Sequence, residues 1–296
     1  VTTTPAAPSA FRSARSLLLS SHPGPTAAVT LLCLVLGVAI GLEPWRLLVL
    51  TLAVVAGQLS IGFSNDAIDA ARDTAVGRAD KPIVTGAISR RTVGLASAVA
   101  LAVALVLSLV LGPAMLLAHV VVIAGGWAYN AWLKRTAFSV LPFVVSFGTL
   151  PSLATLSAAD PRLAAAWAGL TGAVLGVSIH FTNALPDLAD DRRTGVSGLP
   201  HRLGRRPAGV VAFAALAVGA VVVLVGPLMA GGGAGGGRGG ASPVAVVGFV
   251  VTLALAATGA SLAVRRPAHR ILFRLVMAAG LLIAVQLALG GVRLLS

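Results

Sequence analysis

Six of the chain's nine acidic side chains fall in two short clusters that share one spacing. The first carries Asn65, Asp66, Asp69 and Asp73; the second carries Asn183, Asp187, Asp190 and Asp191. Both contain N-x-x-x-D-x-x-x-D, and the copies lie 118 residues apart. On a helix this spacing stacks three oxygen-bearing side chains on one face, one turn after another. Carboxylates and amides are hard donors. Two such faces brought together suit Mg2+, which takes one or two carboxylates with waters and substrate phosphates. The expected metal set is Asn65, Asp66, Asp69, Asp73, Asn183, Asp187 and Asp191, with Asp69, Asp73, Asp187 and Asp191 at the centre of the chemistry. Five histidines (His22, His119, His180, His201 and His269) are scattered, and Cys33 is the single cysteine. That pattern argues against a zinc or iron centre and rules out a disulfide within the chain.

Basic residues surround these acids: Arg72, Arg78 and Lys81 in or after the first cluster, Arg192 and Arg193 after the second, Lys134 and Arg135 between them. Carboxylates alone suit a free cation. Carboxylates mixed with Lys and Arg suit a metal-bridged diphosphate, whose negative charge the two kinds of cation share. Most of the chain's basic groups need no role beyond anchoring loops at a membrane surface. Arg72, Lys81, Lys134, Arg135 and Arg192 are the candidates for substrate contact.

The elements that position these groups must lie in a bilayer. The chain has 296 residues, 57% hydrophobic and only 10% charged, against about 25% charged in a soluble domain. A net charge of +13 with no basic stripe on a soluble domain excludes nucleic acid as a partner and leaves membrane lipid. Nine apolar segments are long enough to span: 26–42, 47–68, 92–111, 114–132, 138–158, 163–185, 208–230, 243–264 and 271–292. Strict alternation puts 18 of the Lys and Arg residues on one side and four on the other. By the positive-inside rule the N-terminus and both acidic clusters face the cytoplasm, as in a plasma or inner membrane protein. The expected fold is all-α: nine transmembrane helices around a central cavity. Residues 1–25 read as a mobile or interfacial cytoplasmic tail, 26–296 as one transmembrane domain, and the glycine run 231–240 as an external linker.

Sliding the chain by 118 residues aligns more than acids. Asn65 meets Asn183, Asp69 meets Asp187, Asp73 meets Asp191, Gly77 meets Gly195, Pro82 meets Pro200 and Gly86 meets Gly204. The offset contains four spans, an even number, so the copies face the same side as two parallel pseudo-repeats. Packed side by side, they aim both acidic ends at one chamber with apolar walls. A diphosphate at its mouth with a greasy tail running inward describes a polyprenyl diphosphate. Loss of diphosphate leaves an allylic carbocation, which a dry cavity protects. Aromatic faces stabilise such a cation, and Tyr129, with Trp127 or Trp132, is placed to do so.

These segments resemble the UbiA superfamily of intramembrane prenyltransferases. The resemblance rests on N-D-x-x-D-x-x-x-D at Asn65–Asp73, D-K-P-I-V-T-G-A-I-S at Asp80–Ser89, D-x-x-x-D at Asp187 and Asp191, and Y-x-x-x-x-K-R at Tyr129–Arg135. It implies nine helices, two Mg2+ ions and transfer of a prenyl group to an acceptor. Asn65, Asp69 and Asp73 would hold one ion, Asp187 and Asp191 the other, with Asp66 and Asp190 auxiliary. Lys81, Lys134 and Arg135 would contact diphosphate, and the loops around Lys81 and His201 would cap the mouth. The first loop has Lys81 alone and the second has no lysine, so the acceptor stays open between aromatic and lipid-like compounds. Two other functions remain: a terpene cyclase on the same scaffold, which needs no acceptor, and a transporter, which would place its acids near the bilayer midplane.

Overall fold

The structure, a computed structural model, describes residues 10–230, 242–265, 270–289 and Leu294. Among them are twelve α-helices and no strand. A short α1 (Ala10–Ser20) leads into α2 (Pro23–Ala39), α3 (Pro44–Ala75), α4 (Arg90–Leu111), α5 (Pro113–Ala131), α6 (Leu141–Thr155) and α7 (Ala166–Ala184). Two short helices, α8 (Leu188–Arg193) and α9 (Leu199–Leu203), precede α10 (Arg205–Met229), α11 (Pro243–Arg265) and α12 (Arg270–Leu289). Proline opens α2, α3, α5 and α6 within their first turn, where its missing N–H costs nothing. Seven helices are long and apolar enough to cross a bilayer; α1 and α2 pass that test only as a pair bent by 65°, and α6 has 15 residues. Large side chains such as Leu117, Val106 and Val247 stand exposed on the outer faces. In an integral membrane protein those faces meet lipid.

The helices run alternately up and down. Cross-links between loops show which ends lie together. At the acidic end Arg270 reaches Asp80 (4.0 Å), Ser197 donates to the Arg135 carbonyl (3.0 Å) and Arg205 to that of Ala263 (3.3 Å). At the opposite end Arg46 donates to the Ser157 carbonyl (3.1 Å) and the Ala165 N–H to that of Leu294 (2.8 Å). The two halves also pack alike. α2–α3–α4 in the first correspond to α6–α7–α10 in the second, and α12 returns to α2 to close the ring. One apolar core, around Cys33, Leu50, Met115 and Leu153, fills the end remote from the acids. A second, around Phe181, Phe213 and Leu216, lies nearer to them.

α6 and α7 approach closely because Gly172 and Gly176, four apart on α7, present bare backbone to α6. A Cβ on Gly172 would run into the Phe147 carbonyl, and one on Gly176 into that of Phe143. This is the small-xxx-small contact that joins helices in lipid, where apolar association has no water to drive it. We expect Gly172→Leu to destabilise the bundle by about 1–3 kcal/mol through overpacking, read as a fall in unfolding temperature in detergent.

Two expectations change. Part of the segment expected as a tail is helical: α1 packs Leu17 near Phe63 and Val93, and Ser16, Ser20 and Ser21 are buried. The second acidic cluster does not lie on one continuous helix, since a 3-10 turn at Leu185–Asp187 separates α7 from α8. Pro186 sits in that turn, and a proline in a helix interior has no N–H for the ladder and clashes with the preceding turn. Residues 1–9 and the glycine run 231–240 lie outside the described residues.

Candidate active site

The 32-residue α3 carries the whole first cluster without interruption. Asp66, Asp69 and Asp73 are all buried near its end. Each has a basic partner. Asp69, 2% exposed, meets Lys134 through one oxygen and Arg72 Nη2 through the other (3.0 Å). Asp73 accepts from Arg72 Nη2 (3.1 Å) and Nε (3.3 Å). Asp66 meets Lys81 (2.5 Å) and His22 (2.9 Å). Asn65 is oriented by a neighbour. Its amide donates to Asn130 Oδ1 (3.1 Å), and Asn130 spends its own N–H groups on the Ile61 carbonyl and Ser64. With both amides fixed, the Asn65 carbonyl oxygen is the atom left to take a ligand.

The second cluster comes to the same place. Arg72 Nη1 reaches Asp191 Oδ1 at 3.7 Å, and Arg78 Nη1 reaches Asp187 Oδ1 at 3.9 Å. One guanidinium therefore touches Asp69 and Asp73 of the first motif and Asp191 of the second. Asp187 is 42% exposed at the mouth and Asn183 is exposed. Arg78 also grips Asp80 with two hydrogen bonds (2.9 and 3.0 Å), which hold that loop carboxylate down to about 2.

The loop between α5 and α6 splits its basic pair. Lys134, 4% exposed, points to Asp69, whereas Arg135 is exposed and its side chain makes no ion pair among the described residues. Arg192 is not directed at the acids either. It donates to the His201 carbonyl at 2.6 Å and so braces the loop after the second cluster. Tyr129 lies edge-on to Phe143 and His180, with centroids 4.9 and 5.6 Å away. Trp127 donates to Ser60, and Trp132 is exposed, so of the three aromatics proposed for the chamber wall only Tyr129 stands in this cluster.

Several contacts had no signal in the sequence. His201 meets Asp191 Oδ2 at 3.0 Å. Ser139 pairs with His180 (3.0 Å) and accepts from the Leu199 N–H (2.8 Å), while Gly198 lies so near that a Cβ would stand 2.7 Å from the Lys134 carbonyl. The loop after the second motif is thus fastened to the turn that carries Lys134.

Chemically, the mouth is a set of carboxylate and amide oxygens suited to a hard divalent cation. Among the described residues no three His, Cys, Asp or Glu side chains form a ready cage. Basic side chains meet the carboxylates, with Arg72 standing between the motifs. Asp66 Oδ2 is buried without a hydrogen-bond partner. These donors fit a cation introduced from outside, because positive charge already sits where both motifs converge.

An alternating helical bundle with two acidic motifs at one end of an apolar interior defines an integral membrane protein with an acidic mouth. The chain belongs to the UbiA prenyltransferase family, which it matches over residues 26–277, and prenyl transfer is its reaction class. It is similar in fold to a UbiA homologue from Aeropyrum pernix K1 solved in its apo form (18% identity, 88% of this chain and 96% of that one, TM-score 0.70). A UbiA homologue from Archaeoglobus fulgidus bound to GPP and Mg2+ is also similar (16% identity, 92% and 99%, TM-score 0.69). So is a structure described as digeranylgeranylglyceryl phosphate synthase (14% identity, 92% and 99%, TM-score 0.64). No curated protein sequence matches the chain significantly.

Proposed function

We propose that this chain transfers a prenyl group from a polyprenyl diphosphate to an aromatic or lipid-like acceptor, with Mg2+ held between the acidic motifs. The observation that carries this reading is Arg72, whose one side chain touches acids from both motifs. The homologue from Archaeoglobus fulgidus, solved with GPP and Mg2+ and with DMAPP and Mg2+, supports it.

Asn65, Asp69 and Asp73 would hold one ion, and Asp187 and Asp191, with Asn183 beside them, the other. Bound there, Mg2+ supplies Lewis-acid charge that stabilises a departing diphosphate. With a metal on those carboxylates, Arg72 would be free to offer its fork to phosphate oxygens, a bidentate match. Lys134 and Lys81 add point charges from either side, and exposed Arg135 closes on the outer oxygens. We assign Arg192 to bracing the His201 loop and Asp66 to holding Lys81, rather than to substrate and metal. Apolar helices around the tail exclude water, and the Tyr129–Phe143 pair lines the path of the allylic carbon. The excess of Lys and Arg in the loops at this end supports a cytoplasmic mouth.

The test is turnover of purified protein offered prenyl diphosphates of several lengths, with and without candidate acceptors, followed by mass spectrometry of lipid products. We expect an acceptor-dependent adduct that vanishes with EDTA and returns with Mg2+. A hydrocarbon or alcohol formed equally without acceptor would make the chain a cyclase, and turnover in metal-free buffer would refute the metal assignment.

A further inference from the structure

We propose that His22 is a positioning residue: with Asp66 it fixes the Lys81 ammonium, and so the loop 76–89, against the acidic end of α3. The contact stands on geometry alone; only what Lys81 then meets rests on the diphosphate reading above.

His22 lies at the 65° bend between α1 and α2. With φ 54° and ψ 64° it is the one non-glycine residue with positive φ among the described residues. A side chain is held in that conformation only where its surroundings over-determine it, and such outliers gather at working sites. The surroundings here are specific. Ser20 and Ser21 are buried, and Thr26 Oγ1 donates to the Ser21 carbonyl at 3.0 Å. Gly62 of α3 admits the Ser21 backbone, which a Cβ there would strike. Gly62 is one turn before Asp66, so an elbow seated on it delivers the imidazole to the carboxylate.

Asp66 Oδ1 then receives two groups, His22 Nε2 at 2.9 Å and Lys81 Nζ at 2.5 Å, which stand 3.2 Å from each other. The junction ties three elements: the α1–α2 elbow, α3 and the loop. An ammonium can only donate. If Nε2 bears a proton it donates to Asp66; if not, it accepts from Lys81. Either tautomer closes the triangle. On the other side of the loop Arg78 reaches Asp187. Lys81 and Arg78 therefore fasten the loop to both acidic motifs, and His22 holds the first fastening.

The chain has only two lysines, Lys81 and Lys134, so amine acetylation of the full-length protein, read by mass spectrometry, reports Lys81 with Lys134 as internal control. His22→Gly keeps the backbone conformation accessible and deletes the imidazole. Gly62→Ala displaces the elbow and leaves the imidazole in place. We expect each to speed Lys81 acetylation roughly tenfold while Lys134 is unchanged. Each should also weaken Mg2+-dependent binding of geranyl thiodiphosphate, a non-ionising analogue, by about tenfold. His22→Gln, with an amide of similar reach, should restore both. Wild-type acetylation in His22→Gly would overturn the proposal. So would faster acetylation with analogue binding unchanged, which would make His22 a tether only. Faster acetylation in a protein whose wild type binds no analogue would uphold the contact and fail the diphosphate reading.

Discussion

Replacing Asp187 by Ala, or Asp69 by Asn, is expected to lower prenyl transfer at least about 100- to 1,000-fold, the scale on which a preorganised electrostatic contact acts in a closed site. The two positions call for different substitutions because their surroundings differ. Asp187 is half-exposed, and its ion-pair contact is a long one to Arg78. Alanine there removes a donor with little cost to the fold. Asp69 is buried between Lys134 and Arg72, so alanine would strand the Lys134 ammonium and take one of Arg72's three carboxylates. Asparagine keeps the shape and one acceptor while withdrawing the charge. Steady-state turnover in saturating Mg2+, with a detergent melting curve beside it, checks both. A near-wild-type rate in either variant would sink the assignment.

The second large effect concerns Lys134. Lys134→Met should lower stability by about 1.5–3 kcal/mol, the cost of removing a charged partner from a buried group. Arg72 still meets one Asp69 oxygen, which keeps the loss below that of a fully stranded charge. Turnover should fall as well, through loss of the proposed phosphate contact. Combining Lys134→Met with Asp69→Asn separates these effects. Once neither side chain is charged, the desolvation penalty disappears and stability should return toward wild type. Activity should not return, because the proposed metal donor is still absent. Recovery of both in the double variant would show that the pair is structural only.

What the sequence made legible is what repeats at short range. Asn65, Asp69 and Asp73 lie on one uninterrupted helix, as their spacing requires. The apolar segments became α2 to α7 and α10 to α12 with modest shifts at their ends. The second motif shows the limit of the same rule. Its spacing reads as one face, yet Pro186 forces a 3-10 turn between Asn183 and Asp187, and a spacing argument that ignores the proline misses it. Partners joined across loops were not legible at all. His22 and Asp66 are 44 residues apart, and Ser139 and Leu199 are 60 apart; no periodicity encodes such pairs. The α1 segment was masked by composition, because Ser, Pro and Ala dominate residues 1–25 while the helix depends on a short leucine run at 17–19. The direction of the Arg192 side chain was not legible either. Proximity in the chain to Asp191 suggested a shared ligand, whereas its guanidinium turns to a main-chain oxygen.

Arg72 belongs to the first motif by sequence and to both by contact. The N-terminal half of the bundle therefore carries part of the C-terminal half's counter-charge. Separated, the N-terminal half would keep its arginine, and the C-terminal half would face solvent with Asp191 deprived of it. The C-terminal half therefore depends electrostatically on the N-terminal half and is not an autonomous unit. A duplicated fold that has shared its charges in this way is committed to remaining one polypeptide, or to finding its other half whenever it is cut.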